Sequence, residues 1–366
     1  MQFVRPLLAA AIAGAMLAAG GAGAAPAPAA PASSIPSAWV GAVTAPKVFM
    51  WTTAGRPAAA PRAKALAPDT RGANNLIFHG GVVQHHPHVY ITFWGSEWKT
   101  GFKIGPMNYT QRNAMDYETQ FFAHVGGTAW HGVQSQFCDG ITPGSRTCGE
   151  LPKSRFVQNN KDVLKGVWID PSLVPATIPT TGLAQNIIKD PIATEAVKAA
   201  AHFHSNDTDA TFFVFTPPGH AATAYGSVYC AYHSEVTNPT GHGLRYSFMP
   251  FTPEQGGGCG GNSVNRASDA YGHGYFDSYS LAGGHEFEEA VTDPDAWPTQ
   301  DGWNDYQTSE NGDKCAYFDA ADLKVGKLYW AVQPMWSNEA NNNSGGCAMK
   351  RGTGKFPIPP LTPVGP

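Results

Sequence analysis

The chain has 366 residues, enough to bury the core of one large domain or two smaller ones. Charged residues make up only 14% of it and the net charge is −4, with no basic patch, so nucleic acid is not an expected partner. The 41 glycines, 30 prolines and 11% aromatic residues are typical of a loop-rich secreted domain rather than a helical bundle.

Residues 1–24 have the organisation of a signal peptide. Arg5 is followed by an apolar run over 7–19 and then by the small residues Ala22, Gly23 and Ala24, which suit a cleavage site. The run is too short and too alanine-rich for a membrane span, and no later run reaches about 18 apolar residues. We therefore expect a secreted, extracellular protein without a membrane span in its mature form.

Composition divides the rest of the chain into three parts. Residues 25–72 are rich in alanine and proline, so we expect a linker or a propeptide with little fixed structure. A single globular domain is expected over 73–352, followed by a proline-rich tail over 353–366.

Six cysteines in an exported chain predict three disulfides. Pairing of sequence neighbours favours the bonds Cys138–Cys148, Cys230–Cys259 and Cys315–Cys347. No two cysteines have the Cys-x-x-Cys spacing, which disfavours a zinc site built from them.

Short β-branched and aromatic runs alternate with amphipathic segments along the domain. They predict a short strand and turn at residues 76–83, and strands at 88–95, 163–169, 211–216, 227–232, 245–249, 314–318 and 329–333. Helices are predicted at 110–125, at 192–202, and from Asp277 or Ser278, both good N-caps, to Asp293, since Pro294 disfavours helix. The pattern indicates an α/β (α+β) fold, with a mixed sheet flanked by helices and stabilised by disulfides.

The last of these helices contains His285-Glu286-Phe287-Glu288-Glu289. A spacing of four places His285 and Glu289 on one face, where they can share a metal ion. Glu286 stands where the general base stands in the zincin motif His-Glu-x-x-His. Here Glu289 replaces the second histidine. Carboxylates bind zinc, but their hard oxygen ligands also suit other divalent ions. The competing interpretation is a solvated acidic helix, since glutamate favours helices.

A third ligand has to come from elsewhere in the chain. Glu310 is our first candidate and Asp313 the alternative, although their segment also suits a tight Asn-Gly turn. Asp293 continues the same helix face but is about 12 Å along the helix from His285, so we expect it to cap the turn or orient a ligand.

Two further groups of residues are candidates for the site. His233 and His273 are candidate donors to a transition state, although lone histidines usually just hydrogen-bond their neighbours. A structural Ca²⁺ site is a weaker alternative, because its carboxylates lack the spacing of an EF-hand; they are Asp293, Asp295, Asp301 and Asp305.

Six blocks in order along the domain resemble the phosphate-induced, or EXORDIUM-like, family, and most of all its bacterial secreted branch. They are FHGGVV (78–83), VYITFWG (89–95), FFVFT (212–216), YCAYH (229–233), AVTDP (290–294) and QPMWS (333–337). The resemblance to the plant branch implies a cell-wall-associated protein without an established enzymatic activity. The bacterial branch commonly has the HExxE helix and a later Glu-x-Gly-Asp-x-Cys segment, which here is ENGDKC (310–315).

Taken together, the sequence predicts a secreted metal-dependent hydrolase similar to a zinc endopeptidase. His285, Glu289 and Glu310 would bind Zn²⁺, Glu286 would be the general base, and the substrate would be a peptide or protein. The alternative is a non-catalytic module that binds cell-wall polysaccharide or a surface partner through exposed aromatic residues, namely Trp297, Trp303, Tyr306 and Trp336.

Overall fold

A computed structural model describes residues 47–49, 74–179, 190–237, 243–266, 269–295, 301–316 and 318–355. All of them belong to one compact unit, Ile35–Pro366. The expected signal peptide and residues 356–366 of the tail lie outside the described residues. Within the described ranges, no helix has both the length and the apolar character that crossing a membrane requires.

The centre of the fold is a mixed sheet of six strands in the order β1-β10-β11-β8-β3-β6. The strands β11, β8, β3 and β6 run parallel, whereas β10 is antiparallel to both β11 and β1. Their bounds are β1 Lys47–Phe49, β3 His88–Trp94, β6 Leu164–Asp170, β8 Ala210–Phe215, β10 Ala231–Thr237 and β11 Gly243–Met249.

Five two-stranded ribbons accompany this sheet within the residues that the structure describes. They pair β2 (Ile77–Phe78) with β12 (Trp303–Asn304), β4 (Lys103–Ile104) with β5 (Tyr109–Thr110), β7 (Thr177–Ile178) with β9 (Ala221–Ala222), β13 (Ala321–Val325) with β14 (Leu328–Val332), and β15 (Met335–Ser337) with β16 (Gly346–Ala348).

Helices cover both faces of the sheet, so the predicted mixed sheet flanked by helices is confirmed. The α-helices are α1 Glu97–Thr100, α2 Gln111–Val125, α3 Pro191–His202, α4 Asp277–Thr292 and α5 Ala340–Asn343. Helix α3 packs on one face, and helices α2 and α4 pack on the other. Short 3₁₀ segments connect them at His131–Gln136, Lys153–Arg155, Thr252–Cys259 and Asp313–Cys315.

The core around α4 explains why the motif helix is fixed in place. Strand residues alternate between the two faces, so Phe213 packs towards α2 while Phe212 faces α3. The Phe122 ring contacts Phe213 and Phe287, with centroids 4.7 and 5.8 Å apart. A Cβ at Gly284 would lie only 3.0 Å from Trp130, so the glycine permits close packing of this helix.

Several local predictions are confirmed, and the bounds or type of some elements are wrong. The three disulfides join the neighbours predicted above. The strand predicted at 227–232 instead begins at Ala231, because the preceding residues form turns around Gly226, whose φ is +75°. The strand predicted at 314–318 is wrong: its start is 3₁₀, because the Cys315 N–H donates to the Gly312 carbonyl.

Candidate functional site

Helix α4 is buried along its whole length. Its N-cap is Phe276 rather than the predicted Asp277 or Ser278, because the Asp277 carboxylate accepts N–H groups from Val264 and Asn265 in the preceding segment. The helix ends at Thr292, one residue before the predicted end. The solvated acidic helix considered above is therefore wrong, because no part of this helix faces solvent.

The spacing of four brings His285 and Glu289 together. Nε2 of His285 lies 2.9 Å from Oε1 of Glu289, and both side chains are at most 1% exposed. On the other side of the helix, Phe287 packs into the core, so the chemical face and the packing face are separate.

The segment that contains Glu310 and Asp313 folds back across α4. The Asp313 N–H donates to Oε1 of Glu289 over 2.9 Å, and Oδ1 of Asp313 is 3.7 Å from Nε2 of His285. Asp313, the alternative candidate, thus lies beside His285. Gly312 makes the approach possible, because a Cβ there would lie 2.7 Å from Nδ1 of His285.

His233 enters the site from strand β10. Alternation along the strand turns it towards α4, where its Nδ1 lies 2.9 Å from Oε2 of Glu286 and 3.7 Å from Oε2 of Glu289. Glu310 lies on the other side of this ring, with Oε1 3.7 Å from Nε2. Glu310 therefore contacts His233, while Asp313 is the group that contacts His285.

Two sets of three residues have ligand atoms close enough to share one metal ion. The first set is His285, Glu289 and Asp313, and the second is His233, Glu286 and Glu289. Within each set all ligand atoms lie within 4.8 Å of one another. Since Glu289 belongs to both sets, the two are halves of one cluster.

Gln333, which follows β14, fixes the tautomer of His285. Its Nε2 donates to the Gly312 carbonyl over 2.8 Å, so its Oε1 is the atom that faces Nδ1 of His285, at 3.3 Å. Because an amide oxygen only accepts, Nδ1 carries the hydrogen and Nε2 keeps its lone pair. Burial lowers the pKa of His285 to about 4, so the ring is neutral at physiological pH.

With this tautomer, the Nε2 atom of His285 that faces Glu289 carries no hydrogen. A neutral imidazole nitrogen with a lone pair and a carboxylate oxygen are both acceptors, yet they lie 2.9 Å apart in the interior. Two acceptors at that distance repel each other unless a proton or a cation is shared between them. The geometry therefore favours positive charge between these two atoms.

Buried residues that sequence reasoning missed also support the cluster. Asn311 is fully buried, and its Nδ2, which carries two hydrogens, lies 2.9 Å from each of three acceptors: Oε1 of Gln134, the Glu288 carbonyl and Oγ1 of Thr292. Glu288 accepts the N–H of His131 over 3.0 Å, and burial raises the pKa of this carboxyl. No motif identifies these residues. His131 lies 157 residues from Glu288 and Gln134 lies 177 residues from Asn311, and the contacts of Asn311 with α4 depend on how the chain returns across that helix.

Asp293 and His273 lie apart from the metal sets. Asp293 accepts the Gly302 N–H over 2.6 Å, so it holds the returning chain. His273 hydrogen-bonds Asp269 over 2.7 Å and stacks on Tyr329, 3.5 Å between ring centroids.

The residues of the calcium-site and binding-module alternatives lie elsewhere in the structure or outside the described residues. Asp295 pairs with Arg245 and Asp305 with Lys314, and the candidate calcium residues form no metal-sized set within the described ranges. Among the aromatics of the binding-module alternative, Trp303 and Trp336 are buried, Tyr306 is exposed, and Trp297 lies outside the described residues.

The comparisons with known proteins gave no match: no protein-family model, no curated protein and no solved structure matches the chain. The resemblance to the phosphate-induced family accordingly stays a prediction from the six sequence blocks.

Proposed function

We propose that the protein is a secreted metal-dependent hydrolase whose cation is bound by His285, Glu289 and Asp313. The observation that carries the proposal is the 2.9 Å separation of Nε2 of His285 and Oε1 of Glu289, two acceptors in a buried site. A divalent cation bound by both atoms would convert their repulsion into coordination. Asp313, whose side chain is 36% exposed, connects the site with solvent.

The donor set favours zinc over calcium. One imidazole nitrogen and two carboxylates are a ligand combination that Zn²⁺ accepts, whereas Ca²⁺ requires six to eight oxygen ligands. Neutral imidazole is also the form that binds metal, and burial keeps His285 neutral. Gln333 hydrogen-bonds the second ring nitrogen, as partners of metal-binding histidines usually do.

Glu286 has the position expected of the proton-transfer group. It is fully buried beside the cation set, and its carboxylate is held by His233 over 2.9 Å. We assign it to take a proton from the attacking water and to pass that proton to the leaving amine of a peptide bond. The cation would supply Lewis acidity, which polarises the substrate carbonyl and lowers the pKa of water.

Secretion is part of the same proposal. Three disulfides suit an oxidising compartment, and residues 1–24 have the organisation of a signal peptide. A peptide or protein substrate outside the cell is consistent with both features.

Zinc content and hydrolysis, measured on the same preparations, test the proposal. We expect about one zinc per chain, lost in His285→Ala and retained in Glu286→Gln, which should lower peptide hydrolysis by about 10²–10⁴-fold. The exposed residues His79 and Glu150 offer matched controls, because His79→Ala and Glu150→Gln should change neither quantity. Absence of zinc, or full hydrolysis by Glu286→Gln, would refute the mechanism. A second zinc per chain would indicate that Glu286 binds a cation together with His233 and Glu289, and that it does not act as the base.

A further inference from the structure

A strand from the alanine- and proline-rich segment lies at the edge of the sheet beside the site. Residues Lys47–Phe49 form β1 and pair antiparallel with β10, with Lys47 opposite His233, Val48 opposite Tyr232 and Phe49 opposite Ala231. This strand departs from the expectation of little structure over 25–72. We propose that the β1-facing edge of β10 is a binding site for an extended peptide, and that β1 occupies it in the full-length chain.

The edge has the groups that strand addition needs. β10 pairs through its other edge with β11 from Tyr232 to Thr237, so β1 covers the outer edge of the sheet. Such an edge offers a row of backbone N–H and C=O groups, which bind an incoming strand largely irrespective of its sequence. The Cys230–Cys259 disulfide immediately precedes β10, so the start of this edge is covalently anchored.

The position of the edge relates it to the proposed chemistry. His233 lies within the paired stretch, and the same residue contacts Glu286 and Glu289 on α4. A peptide in the place of β1 would therefore pass beside the proposed cation and base. That the bound peptide is a substrate depends on the proposed function, whereas the binding site itself does not.

The present occupant is suited to exchange. A three-residue strand forms few backbone hydrogen bonds, and short two-stranded pairings are marginal by themselves. β1 belongs to the same chain as β10, and such covalent attachment gives a binding segment an effective concentration of roughly millimolar. β1 should thus compete with a free peptide, and its removal should make the edge accessible.

Proline substitutions in the full-length chain test the inference, with one variant serving as a control for the other. Successive N–H groups on a strand point to opposite sides, so only one of Lys47→Pro and Val48→Pro removes an N–H that faces β10. The probe is a fluorescent peptide with the sequence of residues 44–52, titrated in the presence of a chelator so that no hydrolysis occurs. We expect the variant that loses the pairing N–H to bind the peptide at least about tenfold more tightly than the unaltered chain.

Hydrogen exchange on the same samples reports where the peptide binds. The added peptide should protect amides within 231–233 of the variant, and a scrambled peptide should not. Equal affinities for the unaltered chain and both variants, or peptide binding without protection of these amides, would overturn the inference. Peptide binding by a protein that lacks zinc and hydrolysis would refute only the proposed function. If the protein hydrolyses peptides, neither substitution changes the rate and no peptide binds at β10, then only the inference is refuted.

Discussion

The substitution Gly312→Ala adds a single methyl group beside two proposed ligands, and it therefore tests the arrangement of the site. The added Cβ would lie 2.7 Å from Nδ1 and 2.9 Å from Cε1 of His285, and 2.8 Å from Oε1 of Glu289. The φ of Gly312 is −76°, which alanine adopts freely, so the expected effect comes from these contacts and not from the backbone. The methyl group therefore acts directly on two proposed ligands.

The size of the effect follows from the distances. Ordinary contact with a Cβ begins at about 3.4 Å, so the ring or the loop has to move by roughly 0.7 Å, whereas metal sites tolerate about 0.2 Å. Displacing the partners of a ligand typically weakens metal binding about 10–100-fold, and overpacking costs about 1–3 kcal/mol of stability. We expect Gly312→Ala to show both effects.

The assay is zinc competition with a chromophoric chelator, together with denaturant unfolding of the metal-free protein. Gly258→Ala is the matched control, because its nearest neighbour would lie 3.9 Å from the added Cβ. If Gly312→Ala binds zinc as tightly as Gly258→Ala while its metal-free stability falls, the cation is not held by His285 and Glu289. An unchanged stability as well would show that the loop does not pack against this helix.

Two further predictions concern stability. Burial raises the pKa of Glu195 to about 8 despite the attraction of Lys198, so folded Glu195 keeps a proton that the unfolded chain releases near pH 4.5. This carboxyl should therefore lower the free energy of unfolding by up to about 1.4 kcal/mol per pH unit as pH rises from 4.5 towards 8. Other buried carboxyls such as Glu288 also have raised pKa values, so Glu195→Gln should make the slope in urea titrations less steep without abolishing it. An equally steep slope in that variant would contradict the assignment. Asn311→Ala should lower the free energy of unfolding by about 1–3 kcal/mol, because it leaves buried acceptors without their donor, and an unchanged urea midpoint would contradict this.

The sequence predicts those features that depend on local spacing. Helix α4, the meeting of His285 with Glu289 and the three disulfides follow from a period of 3.6 residues and from chain proximity. The order of strands is not a local property, and it is this order that places His233 of β10 over Glu286. From sequence alone His233 is one candidate donor among several histidines, and nothing local relates it to Glu286.

The remaining differences also have tertiary causes. Residues 314–318 have the composition of a strand, but Lys314 turns inward to pair with Asp305 and lies 4.4 Å over the Trp336 ring. The same packing buries Trp336, which the sequence suggested as a surface contact. Composition likewise gives no sign of β1, because its pairing is provided by β10 and not by its own residues.

The Cys315–Cys347 disulfide has a consequence for the motion of the ligand loop, the segment 310–313 that contains Asp313. Cys315 lies two residues after Asp313, and Cys347 lies in β16, whose partner β15 donates the Trp336 N–H to the Asn311 carbonyl. The loop and the β15–β16 ribbon are thus joined by a covalent bond and a backbone hydrogen bond. They should open together as one cooperative unit, so that release of a bound ion requires the energy of opening the ribbon as well as that of freeing the loop.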